Sequence, residues 1–231
     1  MSNLKNKSST LLFITEEYPY GDGEAFIENE IDELSNSFNK VIIFSKGDKS
    51  KNKRIYPQNI SIINTKFQLN FIEKIFFFKV LFSKHFWNEI KFLYSYKLTF
   101  SKTNISYCII SLLRAQKFSK IIKANVSISN NIYIYTYWCM DETLGSCMMK
   151  KEFPNLKVFS RAHRMDLYFY AHPNGFLPYR KYILENIDKI FTISKNGEKY
   201  LTDFSKYNKN KVVTSYLGVK RNINRLNFQN L

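Results

Sequence analysis

Leu11-Leu12-Phe13-Ile14, the turn Tyr18-Pro19-Tyr20-Gly21-Asp22-Gly23 and the run Val41-Ile42-Ile43-Phe44 frame the segment that decides the fold. Both four-residue apolar runs read as buried strands, because a strand covered on two faces loses its polar alternation. Between them Phe26, Ile27, Ile31, Leu34 and Phe38 recur at helical spacing, which predicts a helix from about Glu24 to Phe38. Glu24, Glu28, Glu30 and Asp32 suit the positive end of that helix's dipole. Strand, helix and strand in this length form a βαβ unit, so the two strands run parallel.

The alternation continues outward. Ile60–Ile63 reads as a third strand, and residues 67–100 as two helices with a break near Ser83. A helix is expected over Ile105–Ala124, a turn at Asn130-Asn131, and a β-branched, aromatic strand over Ile132–Tyr137. A helix over Asp141–Lys151 leads to a strand at Lys157–Ser160, and a polar loop follows from Arg161 to Gly175. Phe176–Asn186 has a helical pattern, Lys189–Ile193 reads as a strand, and Ser194 is placed to cap a helix reaching Phe204. Val212–Ser215 is the last strand. The expected fold class is α/β: a single Rossmann-like, doubly wound, mainly parallel sheet over residues 1–219. Residues 220–231 are basic and Asn-rich with no periodic pattern, and read as a linker or a truncated tail.

Composition narrows the function classes. Of 231 residues, 45% are apolar and 17% aromatic, which is not a disordered composition. The formal charge of +16 attracts anions: nucleic acid, nucleotides or an anionic membrane face. A Lys-, Asn- and Ile-rich usage accounts for the same charge without any partner. The basic residues do not gather into a recognisable module, so nucleic acid is not an expected partner. Three cysteines, Cys108, Cys139 and Cys147, give no disulfide framework and no metal-ligand spacing, which fits a reducing compartment and no metal. Met1–Thr10 lacks the pattern of a signal peptide, and the most apolar window is broken by Lys74, Lys79, Lys84, Lys91 and Lys97. The expectation is a cytoplasmic protein, at most peripheral on the inner face of the plasma membrane. Those Lys-studded aromatic helices either lie on an anionic bilayer or pack on the sheet with the Lys chains reaching outward.

Three segments directly follow strands and should gather at the carboxyl edge of the sheet, where ligands bind in open α/β folds. Gly21 and Gly23 permit a tight turn and close backbone approach ahead of a helix N-terminus, an arrangement suited to phosphate, although Asp22 and Glu24 oppose a pure phosphate cradle. In Ser160-Arg161-Ala162-His163-Arg164-Met165-Asp166, His163 can hydrogen-bond a sugar hydroxyl or phosphate oxygen. Arg161 or Arg164 can neutralise a leaving diphosphate, and Asp166 can orient one of them. In Tyr137-Trp138-Cys139-Met140-Asp141-Glu142, an aromatic platform beside carboxylates suits a sugar, with Trp138 as core filler the plainer alternative.

Taken together, these stretches resemble the N-terminal, acceptor-side domain of family-4, GT-B-type bacterial glycosyltransferases that build capsule, exopolysaccharide or lipopolysaccharide. The resemblance lies in Leu12–Thr15 with Tyr18–Ile31, in Ser160–His163 with Asp166–Tyr168, in His172–Arg180, in Asp188–Ser194 with Gly197, and in Tyr216–Val219. It implies retaining transfer from a nucleotide-diphosphate sugar, without a cofactor or metal, to a glycan or lipid-linked acceptor. His163 would contact the transferred sugar as the catalytic candidate, and Gly21, Gly23, Arg161 and Ser194 would lie on the donor side. Glu24, Trp138, Asp141, Arg164 and Asp166 would bind substrate. Arg164 departs from the family pattern, in which Gly often follows the His. The family's second domain, which carries its paired Glu motif, has no counterpart in these residues, so a separately encoded donor domain is an implied partner and the isolated chain is expected to be incomplete. The competing expectation is a non-catalytic half-domain that binds membrane or glycan.

Overall fold

A computed structural model describes residues 9–66, 69–95, 101–129, 131–173, 175–204 and 209–218. Among these, seven strands make one sheet: β1 (Thr10–Thr15), β2 (Lys40–Ser45), β3 (Ile60–Asn64), β4 (Ile132–Thr136), β5 (Lys157–Ala162), β6 (Lys189–Thr192) and β7 (Val212–Thr214). The order is β3-β2-β1-β4-β5-β6-β7, and every neighbouring pair is parallel. The α/β Rossmann-like class is therefore present, with the sheet entirely parallel. The predicted tail 220–231 lies outside the described residues.

Strand parity sorts the core into two layers. Leu11, Phe13, Val41, Ile43, Tyr135 and Tyr137 face α1 (Ile27–Ser37), which buries Ile27 and Ile31 against them. Leu12, Ile14, Ile42, Phe44, Ile134, Val158 and Ile190 face the opposite layer. That layer holds α2 (Phe71–Ile75), a 3-10 segment (Phe76–Phe82), α3 (Lys84–Ser95), α4 (Lys102–Asn125), α5 (Asp141–Met149), α6 (Arg164–Leu167), α7 (Arg180–Asn186) and α8 (Lys195–Phe204). The break expected near Ser83 separates the 3-10 segment from α3. Ser101 caps α4 by accepting from the Asn104 N–H at 3.1 Å. Gly145 lets α5 approach α4 closely, since a Cβ there would sit 2.6 Å from the Ala115 carbonyl oxygen.

Several element boundaries differ from expectation, and three of them have a clear local reason. The first helix starts at Ile27 rather than Glu24, because Glu24 adopts a left-handed backbone (φ 57°) inside a loop. β5 continues through Arg161 and Ala162, which are buried, so the expected loop is shorter and contains the turn of helix α6. The helix expected from Phe176 begins only at Arg180, after Pro178 and a left-handed Tyr179 (φ 58°).

β1 and β4 are adjacent, yet the chain leaves them toward opposite ends of the sheet. The carboxyl ends of these two strands thus form the topological switch point, where an open parallel sheet leaves a crevice.

Candidate functional site

The rim of the sheet is assembled from the segments that follow β1, β2, β4 and β5. Glu24 organises the first. Its carboxylate accepts the backbone N–H groups of Glu16 (3.0 Å), Glu17 (2.8 Å) and Tyr18 (2.8 Å), and the indole N–H of Trp138 (2.8 Å). Four donors saturate a carboxylate. The expected substrate contact by Glu24 gives way to an internal one, in which it braces the loop after β1 against the loop after β4.

The glycine turn is similarly engaged. Gly21 donates to the Asn52 carbonyl at 2.9 Å, and Gly23 donates to the Glu17 carboxylate at 3.2 Å. Arg54 caps the Gly21 and Gly23 carbonyls from Nε and Nη2 at 2.9 and 2.8 Å. The Gly21 and Gly23 N–H groups thus already have acceptors, and Glu17 and Glu24 lie beside the turn with negative charge.

Arg161 points to the α1 side of the sheet. It is 4% exposed, ion-pairs with Glu30, and donates to the Tyr135 hydroxyl at 3.0 Å and the Ser215 carbonyl at 2.8 Å. A guanidinium so enclosed is engaged internally, which leaves Arg164 as the exposed member of the Arg161 or Arg164 alternative. Asp166, 1% exposed, accepts from the backbone N–H of Cys139 (2.6 Å) and of His163 (2.5 Å). Burial pushes its carboxyl up to about 6. It clasps the loops after β4 and β5 rather than a ligand. Ser194 caps α8 by accepting from the Gly197 N–H at 3.1 Å. Arg164 is exposed on α6.

Trp138 and His163 meet ring to ring after β4 and β5, whereas the Asp141 carboxylate turns toward α4. The His163 ring lies 4.4 Å from the Trp138 ring and 4.9 Å from Tyr137, centroid to centroid. Burial, and secondarily Arg161, pushes the imidazole down to about 4, so it is neutral near pH 7. Its Nδ1 is buried without a hydrogen-bond partner among the described residues. Asp141 opens α5, takes a hydrogen bond from Ser111 and lies 3.5 Å from Arg114. Burial and the neighbouring Glu142 carboxylate raise its pKa.

Sequence reading missed two groups. Lys46, directly after β2, bridges Glu16 and Glu142, the latter at 2.7 Å. Burial works against its charge, but the two carboxylates more than offset that and hold its pKa up. A lone cation at the carboxyl end of a buried strand was the available signal. Arg180, 1% exposed, donates to the Cys139 sulfur (2.8 Å), the Cys139 carbonyl (3.2 Å) and the Asp166 carbonyl. Nothing in a helical pattern distinguishes it from a surface Arg. The resulting rim carries the Trp138–His163 aromatic pair, the Lys46–Glu16–Glu142 ion-pair cluster and the exposed Arg164.

No family model and no curated protein matches the sequence. Among solved structures, the chain is similar to the Candida albicans trehalose-6-phosphate phosphatase N-terminal domain, at 13% identity and a TM-score of 0.51, over 95% of this chain and 50% of that one. Another similar structure is an alpha,alpha-trehalose-phosphate synthase (UDP-forming) from Burkholderia vietnamiensis, at 10% identity and a TM-score of 0.49, over 91% and 48% of the two chains. The chain spans about half the length of these solved structures, and the first likeness shows a shared fold.

Proposed function

We propose that this chain is the acceptor-side half of a nucleotide-sugar-dependent, retaining glycosyltransferase of the GT-B arrangement, acting in cell-surface polysaccharide synthesis. The reading is carried by the Trp138–His163 platform at the switch point, on a rim that also carries the Glu16 and Glu142 carboxylates. A sugar presents C–H faces to an indole and hydroxyl groups to carboxylates. Phosphate fits the part of the rim lined by Glu16, Glu24 and Glu142 poorly, because like charges repel and Lys46 is already paired. The acceptor glycan or lipid-linked saccharide therefore belongs here, and the donor diphosphate belongs to groups of a second domain. His163, uncharged at neutral pH, hydrogen-bonds a hydroxyl near the reaction centre without altering the charge of the site.

The internal engagement of Arg161 and the glycine turn also favours a second reading, a half-domain that binds glycan without transferring it. The two readings share the site and differ in turnover.

The chain has two tryptophans, so its indole N–H groups give two separable NMR signals. Titration with uncharged oligosaccharides should move the Trp138 signal and leave Trp87 in place. Radiolabelled sugar should pass from a nucleotide donor to the bound glycan only when a donor domain is added. A Trp138 signal unmoved across a broad panel of neutral and lipid-linked saccharides would sink both readings, while binding without transfer in the two-domain mixture selects the second.

A further inference from the structure

Eight of the thirteen large apolar side chains exposed among the described residues fall between Phe71 and Tyr94, a concentration in one short stretch of chain. Phe71 (77%), Phe82 (87%) and Tyr94 (83%) are the most exposed, and Phe77, Phe78 and Trp87 add about half their area each. The segment is anchored from its inner side, where Val80, Phe86 and Leu93 are buried against the α4 layer. Its outer side is therefore held in place while remaining apolar.

The exposed charges of the segment itself are mainly basic. Lys79, Lys84 and Lys91 are exposed along it. Of the two carboxylates in the same stretch, Glu73 pairs with Lys117 at 2.7 Å, and Glu89 is buried and accepts from the Tyr179 N–H at 2.8 Å. We propose that this face is a docking surface for an anionic lipid bilayer, with the aromatic side chains entering the headgroup boundary and the lysines meeting lipid phosphates. No described helix is long and apolar enough to cross a membrane, so the segment lies on the surface. A second copy of the chain is disfavoured as occupant, because it would bring like charge against a protein of net charge +16.

The proposal does not rest on the sugar-transfer reading, and vesicles without glycan test it alone. The parent protein should sediment with vesicles of equal phosphatidylglycerol and phosphatidylethanolamine at least tenfold better than with phosphatidylcholine vesicles. Phe71→Ser/Phe82→Ser and Lys84→Glu/Lys91→Glu should each lower that binding at least tenfold with an unchanged melting temperature. In a Trp138→Phe background, Trp87 emission should shift to the blue on the anionic vesicles; this readout needs no variant of the patch to fold. Equal partition to both vesicle types, an unshifted Trp87, or folded patch variants that bind like the parent would each overturn the proposal. So would a dimer in lipid-free buffer that the Phe71→Ser/Phe82→Ser change abolishes, which would assign the face to protein contact.

Discussion

Trp138 and His163 meet ring to ring, with planes 43° apart, while the indole N–H reaches Glu24 on the far side. A ring of β5's loop, a ring of β4's loop and a carboxylate of β1's loop thus form one continuous series across the switch point. Displacing any member moves the platform on which a sugar would rest.

Because burial keeps His163 neutral down to about pH 4, glycan affinity should be flat between pH 5.5 and 8 as far as this residue is concerned. Stability behaves differently. The unfolded imidazole takes up its proton near pH 6.5 and the folded one only near 4, so the unfolded state binds more protons in that window and stability is lost as pH falls through it. His163→Gln should remove that component of the slope, measured by denaturant titrations at pH 5 and 7.

Glu89 has the opposite sign. Burial holds its carboxyl up to about 7, against an ordinary value near 4.5, so the folded state binds more protons and stability falls as pH rises through that interval. Glu89→Gln keeps an oxygen for the Tyr179 N–H and removes the buried charge. It should raise stability at pH 8 by about 1–3 kcal/mol and change little at pH 4.5. A loss of stability at pH 8 would refute this account.

Removing Arg161 alone leaves the Glu30 carboxylate, whose side chain is 19% exposed, without its cation and with the Tyr135 hydroxyl at 3.3 Å, and should cost about 3–5 kcal/mol. Replacing both, as Arg161→Met/Glu30→Leu, should recover most of that loss. A double-mutant cycle by chemical denaturation measures the coupling. Additive losses would mean that Arg161 acts elsewhere than on Glu30.

The glycines are unequal. A Cβ on Gly47 would overlap the Glu17 carbonyl oxygen, which belongs to the backbone, whereas one on Gly23 meets the mobile end of the Glu17 side chain first. Gly47→Ala should therefore cost about 1–3 kcal/mol, and Gly23→Ala under about 1 kcal/mol. Thermal melts of the two variants decide it.

Much of the architecture is legible in local pattern. Four-residue apolar runs such as Leu11–Ile14 and Val41–Phe44 can be read as strands because both their faces are covered, and Ser194 can be read as a cap because capping depends on three neighbouring residues. Side-chain partnership is not local. Arg161 and Glu30, or Glu24 and Trp138, are brought together only when the sheet closes, so their residue types pointed to ligand chemistry while their contacts proved internal. Trp138 and His163 were recoverable as rim residues because each follows a strand directly, and parallel strands end on the same edge.

The placement of β1 at the centre of the sheet has a consequence for synthesis on the ribosome. Thr10 pairs with Lys40 on one side, but its partner on the other side is Ile132. While the roughly 70 residues between β3 and the end of β4 are being added, which takes roughly 4–15 s, β1 to β3 have neither the β4 partner for the Leu11–Ile14 bonding edge nor the later helices that cover Leu12, Ile14, Ile42 and Phe44. That edge is the part of the molecule most in need of shielding before the chain is complete.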